Sequence, residues 1–113
     1  MDARALLAAY VEAHNAGVRC GDFARLVALL EPACEMHFTV VRAGPYIGRE
    51  AIAHAFQVNP PGAELHTAEI TGDAASAHAL YGWVGAAATF SGSLRVEAGP
   101  GGIRRVEVRA FGN

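Results

Sequence analysis

Lysine is absent from this sequence, and the nine basic residues are all arginine, spread from Arg4 to Arg109. Nucleic-acid binders concentrate their cations on one face, so this scatter, with a formal net charge of −2, argues against a nucleic-acid partner. Cysteine is scarce as well. Cys20 and Cys34 stand in no metal or redox spacing and follow no secretory leader, which reads as two reduced thiols in a cytoplasmic protein. No apolar run approaches the roughly 20 residues that span a bilayer, so no membrane partner is expected. The five histidines, His14, His37, His54, His66 and His78, form no pair with ligand spacing, and neither a metal nor a cofactor is assigned. Hydrophobic residues nonetheless make up 52% of the chain, enough for a single domain, 1–113, around one core.

The apolar pattern organises the first half into helices. Asp2 can cap a helix whose stripe is Leu6, Leu7, Tyr10, Val11 and His14, ending at Asn15-Ala16-Gly17. Asp22 can cap a second, with Phe23, Leu26, Val27 and Leu30 inward and Pro32 as its stop. Glu35 to Val41 reads as a strand, Ala43-Gly44-Pro45 as a break, and about Arg49 to Phe56 as a third helix closed by Asn59-Pro60-Pro61-Gly62. Four strands follow, Glu64–Thr71, Ala74–Gly85, Phe90–Ala98 and Ile103–Phe111, separated by glycine-rich turns. Helices first and an antiparallel meander afterwards predict an α+β fold.

The last hairpin can be read further. A turn on Gly99-Pro100-Gly101 sets Leu94 against Val106 and Gly92 against Val108. One face is then Gly92, Leu94, Val96, Val106, Val108 and Ala110, wholly apolar. The other carries Arg95, Glu97, Arg105, Glu107 and Arg109, alternating in sign, which reads as a solvated ladder or a dimer surface.

The order αα-β-α-ββββ, with the Gly21 to Leu30 helix, Tyr46-Ile47-Gly48-Arg49-Glu50-Ala51-Ile52 and the closing Gly102 to Val108 strand, resembles the nuclear transport factor 2-like superfamily. Within it the chain is most similar to the SnoaL-like polyketide cyclases and steroid Δ-isomerases. The resemblance implies a cystatin-like α+β barrel: a cone-shaped curved antiparallel sheet packed on three N-terminal helices. It also implies a small hydrophobic ligand at the mouth of the cone and a homodimer. The isomerases use an Asp base, a second acid and a Tyr. Counting back from Gly48 puts the base at Thr39, and aligning Leu94-Arg95-Val96 puts the second acid at Gly92, so neither acid is present and steroid isomerase activity is not expected. The Tyr position falls on Tyr10 or, aligned from Gly21-Asp22, on His14, one helical turn away. Limonene epoxide hydrolases share the fold, which leaves an epoxide hydrolase-like enzyme as a further alternative, although Arg95, Glu97, Arg105, Glu107 and Arg109 lie on the outer face of the last hairpin.

The expected pocket is therefore apolar, lined by Tyr10, His14, His37, Thr39, Phe56, His78, Leu94, Val96 and Val106, and its occupant a small lipophilic molecule. His37, on the strand face of Thr39, is the first candidate for proton transfer, beside Tyr10 and His14. Isomerase-, cyclase- or hydratase-like chemistry, a non-enzymatic carrier or sensor, and a protein-dimerisation module all stay open. By comparison with the isomerases, Ser76, His78, Leu80 and Gly82 face the cone. Tyr81 and Trp83 would then form an apolar patch on the outer sheet face, the expected homodimer surface.

Overall fold

Asp2 accepts the Ala5 N–H at 2.9 Å and starts helix α1 (Ala3–Cys20), which ends at Gly21 in the left-handed region, φ 79°. The computed structural model describes residues 1–112. Helix α1 runs beyond Asn15-Ala16-Gly17 because Gly17 acts there as a contact rather than a stop. A Cβ at Gly17 would lie 2.3 Å from the Phe23 ring, so its absence lets that ring close on the helix. The second helix, α2 (Ala24–Val27), is a single turn. Leu30 already belongs to strand β1 (Leu30–Thr39), and Pro32 falls where its pairing is irregular, between Leu30 and Glu35.

There follow β2 (Tyr46–Ile47), helix α3 (Arg49–Val58), β3 (Leu65–Thr67), β4 (Thr71–Gly72), β5 (Ser76–Trp83), β6 (Gly92–Gly99) and β7 (Gly102–Ala110). The strand expected over Glu64–Thr71 is thus divided in two. The sheet order is β2-β1-β7-β6-β5-β3, with β4 also on β5, and helices cover one face of this α+β fold. All neighbours are antiparallel except β1 and β7, which run parallel, so the sheet is mixed. A parallel pair between distant segments leaves no turn signature for a sequence reading to find.

In the β6–β7 hairpin Leu94 faces Val108 and Gly92 faces Ala110, two residues from the expected register: the turn pairs Gly99 with Gly102, a shift of one, and an irregularity after Glu97 takes up Arg104, a shift of one more. The even shift preserves the faces. Leu94, Val96 and Val106 are buried, while Arg95, Glu97, Arg105 and Glu107 lie on the opposite side. There they form a chain of ion pairs: Arg104 to Glu97 at 2.9 Å, and Arg95 and Arg105 each to Glu107 at 3.1 Å. Burial alone would raise the Glu107 carboxyl, but hydrogen bonds from Arg95 and Arg105 hold it below its ordinary value. Exposed pairs contribute little, so Arg95→Ala is expected to cost at most about 1 kcal/mol, read as a small shift of the urea midpoint.

Two strands show the face opposite to that expected. In β1 the inward residues are Cys34, Met36 and Phe38, because Met36 pairs with Val106 and Phe38 with Val108 on the apolar side of β7. His37 and Thr39 point outward, His37 onto Glu35 at 2.8 Å. In β5, Ala77, Ala79 and Tyr81 pair with Val96, Leu94 and Gly92, and paired residues share a face. Those three are therefore buried, whereas His78 is exposed and Leu80 is 40% exposed. The small alanines give α1 room to pack on β5. Tyr81 and Trp83 consequently do not form an outer patch, and the homodimer surface expected from them is not on the outside of the sheet.

Candidate functional site

Between the helices and the inner face of the sheet lies a cavity of about 290 Å³. Helix α1 contributes Tyr10 and His14, and α3 contributes Ala55 and Phe56. The sheet supplies Met36, Phe38, Tyr81, Trp83, Leu94 and Val108, and the rim is built by Val41, Ala43, Tyr46, Asn59, Pro60, Pro61 and Leu65. None of these side chains is an acid, an arginine or a lysine. Four of the expected residues, Tyr10, His14, Phe56 and Leu94, line this space. Val96 and Val106 are fully buried in the core without reaching it. His37, Thr39 and His78 lie on the outer face, a correction to their expected place in the cone, since one step of strand register exchanges the faces. That step also hid Met36, Phe38, Tyr81 and Trp83, which are the aromatic and thioether wall.

His14 is 4% exposed and packs between Phe23 and Trp83, with ring centroids at 6.3 and 6.2 Å. Its neighbour Asn15 binds the main chain of Leu65 twice: Nδ2 donates to the carbonyl at 2.8 Å, and Oδ1 accepts the N–H at 2.7 Å. These two bonds fix the amide orientation, because a backbone N–H needs an oxygen and a backbone carbonyl needs a donor. His14 Nδ1 lies 3.1 Å from the same Oδ1 and must donate to it. The neutral ring therefore carries its hydrogen on Nδ1 and a lone pair on Nε2. Among the described residues no buried side-chain nitrogen or oxygen lacks a partner. Nε2 and the Tyr10 hydroxyl, which bond to no described protein group, accordingly reach open space in the cavity they line.

Burial lowers the His14 pKa from its ordinary 6.5, outweighing the Asn15 bond and the nearby Glu64, which is itself paired with Arg19 at 2.6 Å. Burial likewise pushes the Tyr10 phenol well up, so it stays a neutral donor, and the Cys34 thiol is pushed up to about 12 and is inert as a nucleophile. The sign for His14 follows from linkage. As pH falls below about 6.5 the unfolded chain takes up a proton that the folded ring resists, so stability drops on acidification, while above that range His14 adds no slope. In urea midpoints collected from about pH 7 down to pH 5, His14→Leu is expected to lose less stability than the wild type. Equal losses would place His14 in water.

Among the described residues no group of His, Cys, Asp or Glu is arranged to hold a metal, and no helix is long and apolar enough to cross a membrane. No protein-family model matches the sequence, and no curated protein matches it. Solved structures do match. A protein from Sphaerobacter thermophilus is 20% identical over 100% of this chain and 99% of its own, with a TM-score of 0.75. A protein of unknown function from Cytophaga hutchinsonii, described as NTF2-like, is 14% identical over 96% and 88%, with a TM-score of 0.74. A candidate ketosteroid isomerase from Kribbella flavida is 19% identical over 97% and 78%, with a TM-score of 0.73. Such identities speak for architecture alone, and they agree with the element order and the curved sheet laid on helices: the chain has the nuclear transport factor 2-like fold.

Proposed function

We propose that the chain binds a small, uncharged, lipophilic molecule in the cone. One observation carries the reading: a cavity walled by aromatic and aliphatic side chains, with no formal charge in its lining and a single imidazole. Small-molecule sites are typically concave and largely apolar, with few polar groups to fix orientation, and about 290 Å³ stands near the lower end of their size range. Among the polar groups of the lining, His14 is the one that can take a proton as a neutral base, at Nε2, and Tyr10 can give a hydrogen bond from its phenol. That suits an isomerase-, cyclase- or hydratase-like step without a carboxylate. It suits a carrier or sensor equally, and the uncharged lining favours that second reading. Epoxide hydrolysis with an internal acid pair has no support here, since the acids and arginines of β6 and β7 lie on the far side of the sheet.

Trp83 is the only tryptophan and lines the cavity, so its emission reports occupancy directly. Mass spectrometry of molecules released from freshly purified protein is the test. A lipophilic compound that restores its own shift in Trp83 emission when added back is expected, and one that binds equally well to Phe56→Arg would refute the reading.

A further inference from the structure

Among the polar groups around the cavity, the hydroxyls of Tyr10, Tyr46 and Tyr81 can each give or accept a hydrogen bond, Asn59 offers both a donor and an acceptor, and the Trp83 indole only gives. His14 Nε2 differs from all of them. With Nδ1 committed to Asn15 Oδ1, it can only accept. The commitment is structural, since both lone pairs of that oxygen are used, one by the Leu65 N–H and one by the imidazole. The opposite tautomer would set a ring lone pair against an amide oxygen at 3.1 Å.

We propose that Asn15 is a positioning residue that locks His14 with Nε2 bare, and that the cavity thereby selects uncharged ligands carrying a hydroxyl hydrogen, as a phenol, enol or alcohol does. The inference rests on the reading of the cavity as a ligand site and names the class that the site prefers. Tyr10, one turn earlier on the same face of α1, stands about 6 Å along the helix from His14. A hydroxyl can give its hydrogen to Nε2 while its oxygen accepts from the Tyr10 phenol. A ketone or ether has no hydrogen for Nε2 and leaves that atom unsatisfied in a desolvated site. A carboxylate adds a charge that no cation in the lining offsets.

An apolar cavity of about 150 Å³ holds benzene, so about 290 Å³ admits two fused rings. The probes are therefore 2-naphthol, 2-methoxynaphthalene and naphthalene, titrated into the ¹⁵N-labelled protein. In the unliganded protein, long-range ¹H–¹⁵N correlations of the His14 ring are expected to report a protonated Nδ1 and a bare Nε2, and the reverse assignment overturns the proposal. The naphthol is expected to bind roughly 10–100-fold more tightly than its methyl ether. His14→Leu should bring the two close to parity. Asn15→Asp keeps the acceptor for Nδ1 and should keep both the tautomer and the preference, whereas Asn15→Leu should lose both. Should Asn15→Leu not fold, His14→Leu and the ring correlations still decide. Binding of all three probes with equal affinity overturns the selection and leaves the ligand site standing. Binding of none, naphthalene included, overturns the ligand site and the selection with it.

Discussion

Gly92→Asp is expected to destabilise the domain by about 3–5 kcal/mol, the range for a buried charge left without a partner. Gly92 is buried on β6, opposite Tyr81 on one side and Ala110 on the other. A Cβ built there would lie 2.2 Å from the Arg109 carbonyl oxygen and 2.8 Å from the Tyr81 ring. The first contact is with backbone, which cannot swing aside without opening the β6–β7 ladder, and the second is with an aromatic wall of the cavity. The glycine and the tyrosine thus share one volume across two strands. This is the position where the resemblance to steroid isomerases places an acid, and here the Tyr81 ring fills the space that acid would need. Chemical denaturation with far-ultraviolet circular dichroism as readout measures the effect, and a midpoint within error of wild type would contradict the packing described.

Asn15→Ala is expected to cost about 2–4 kcal/mol, although Asn15 is only half-buried and its partners are main chain. Leu65 is buried, and its N–H and carbonyl both lose their partner in the variant, at roughly 1–3 kcal/mol for each group left unsatisfied. The comparison with Arg95→Ala is instructive. Arg95 makes contacts to Ser76, Glu97 and Glu107, yet all are in water and each can be replaced by it. Asn15→Asp still accepts from the Leu65 N–H but sets its second carboxylate oxygen against the Leu65 carbonyl, so it is expected to stay well below wild type. Parallel urea titrations of the three variants give the ranking, and an Asn15→Ala midpoint above that of Arg95→Ala would refute it.

The parts of the fold legible in the sequence are those set by local rules. Asp2 announces α1, and the Arg/Glu alternation from Arg95 to Arg109 marks an outer face whatever the hairpin register. Tyr10 and His14 reach the site because helical spacing ties them to Leu6 and Leu7, which any core would bury. The faces of β1 and β5 depend instead on non-local facts. In β1 the alternation itself, Cys34, Met36 and Phe38 against Glu35, His37 and Thr39, points the right way. Counting back from Gly48 points the other way, because the count crosses residues 40–45, where Val40 takes φ 78°, a conformation no local rule assigns to a β-branched residue. In β5 the alternation, Ala77, Ala79, Tyr81 and Trp83 against Ser76, His78, Leu80 and Gly82, again points the right way; the comparison with the isomerases points the other way, and the pairing of Ala79 with Leu94 decides. Asn15 gives no signal at all, since its role is made by Leu65, 50 residues away.

The parallel seam between β1 and β7 has a kinetic consequence. Strand β7 is the last of the sheet's described strands in chain order and sits in the middle of the sheet, between β1 and β6. Until it emerges from the ribosome, the β1–β2 ribbon and the β6–β5–β3 half have no strand in common, and each shows a bare edge to its surroundings. Closing so long a loop before any reward in contacts places folding toward the slow end for a domain of this size, on the order of milliseconds to seconds. Nascent chains halted after Gly99 therefore lack the keystone of the sheet rather than its border, and should be the species that chaperones hold longest.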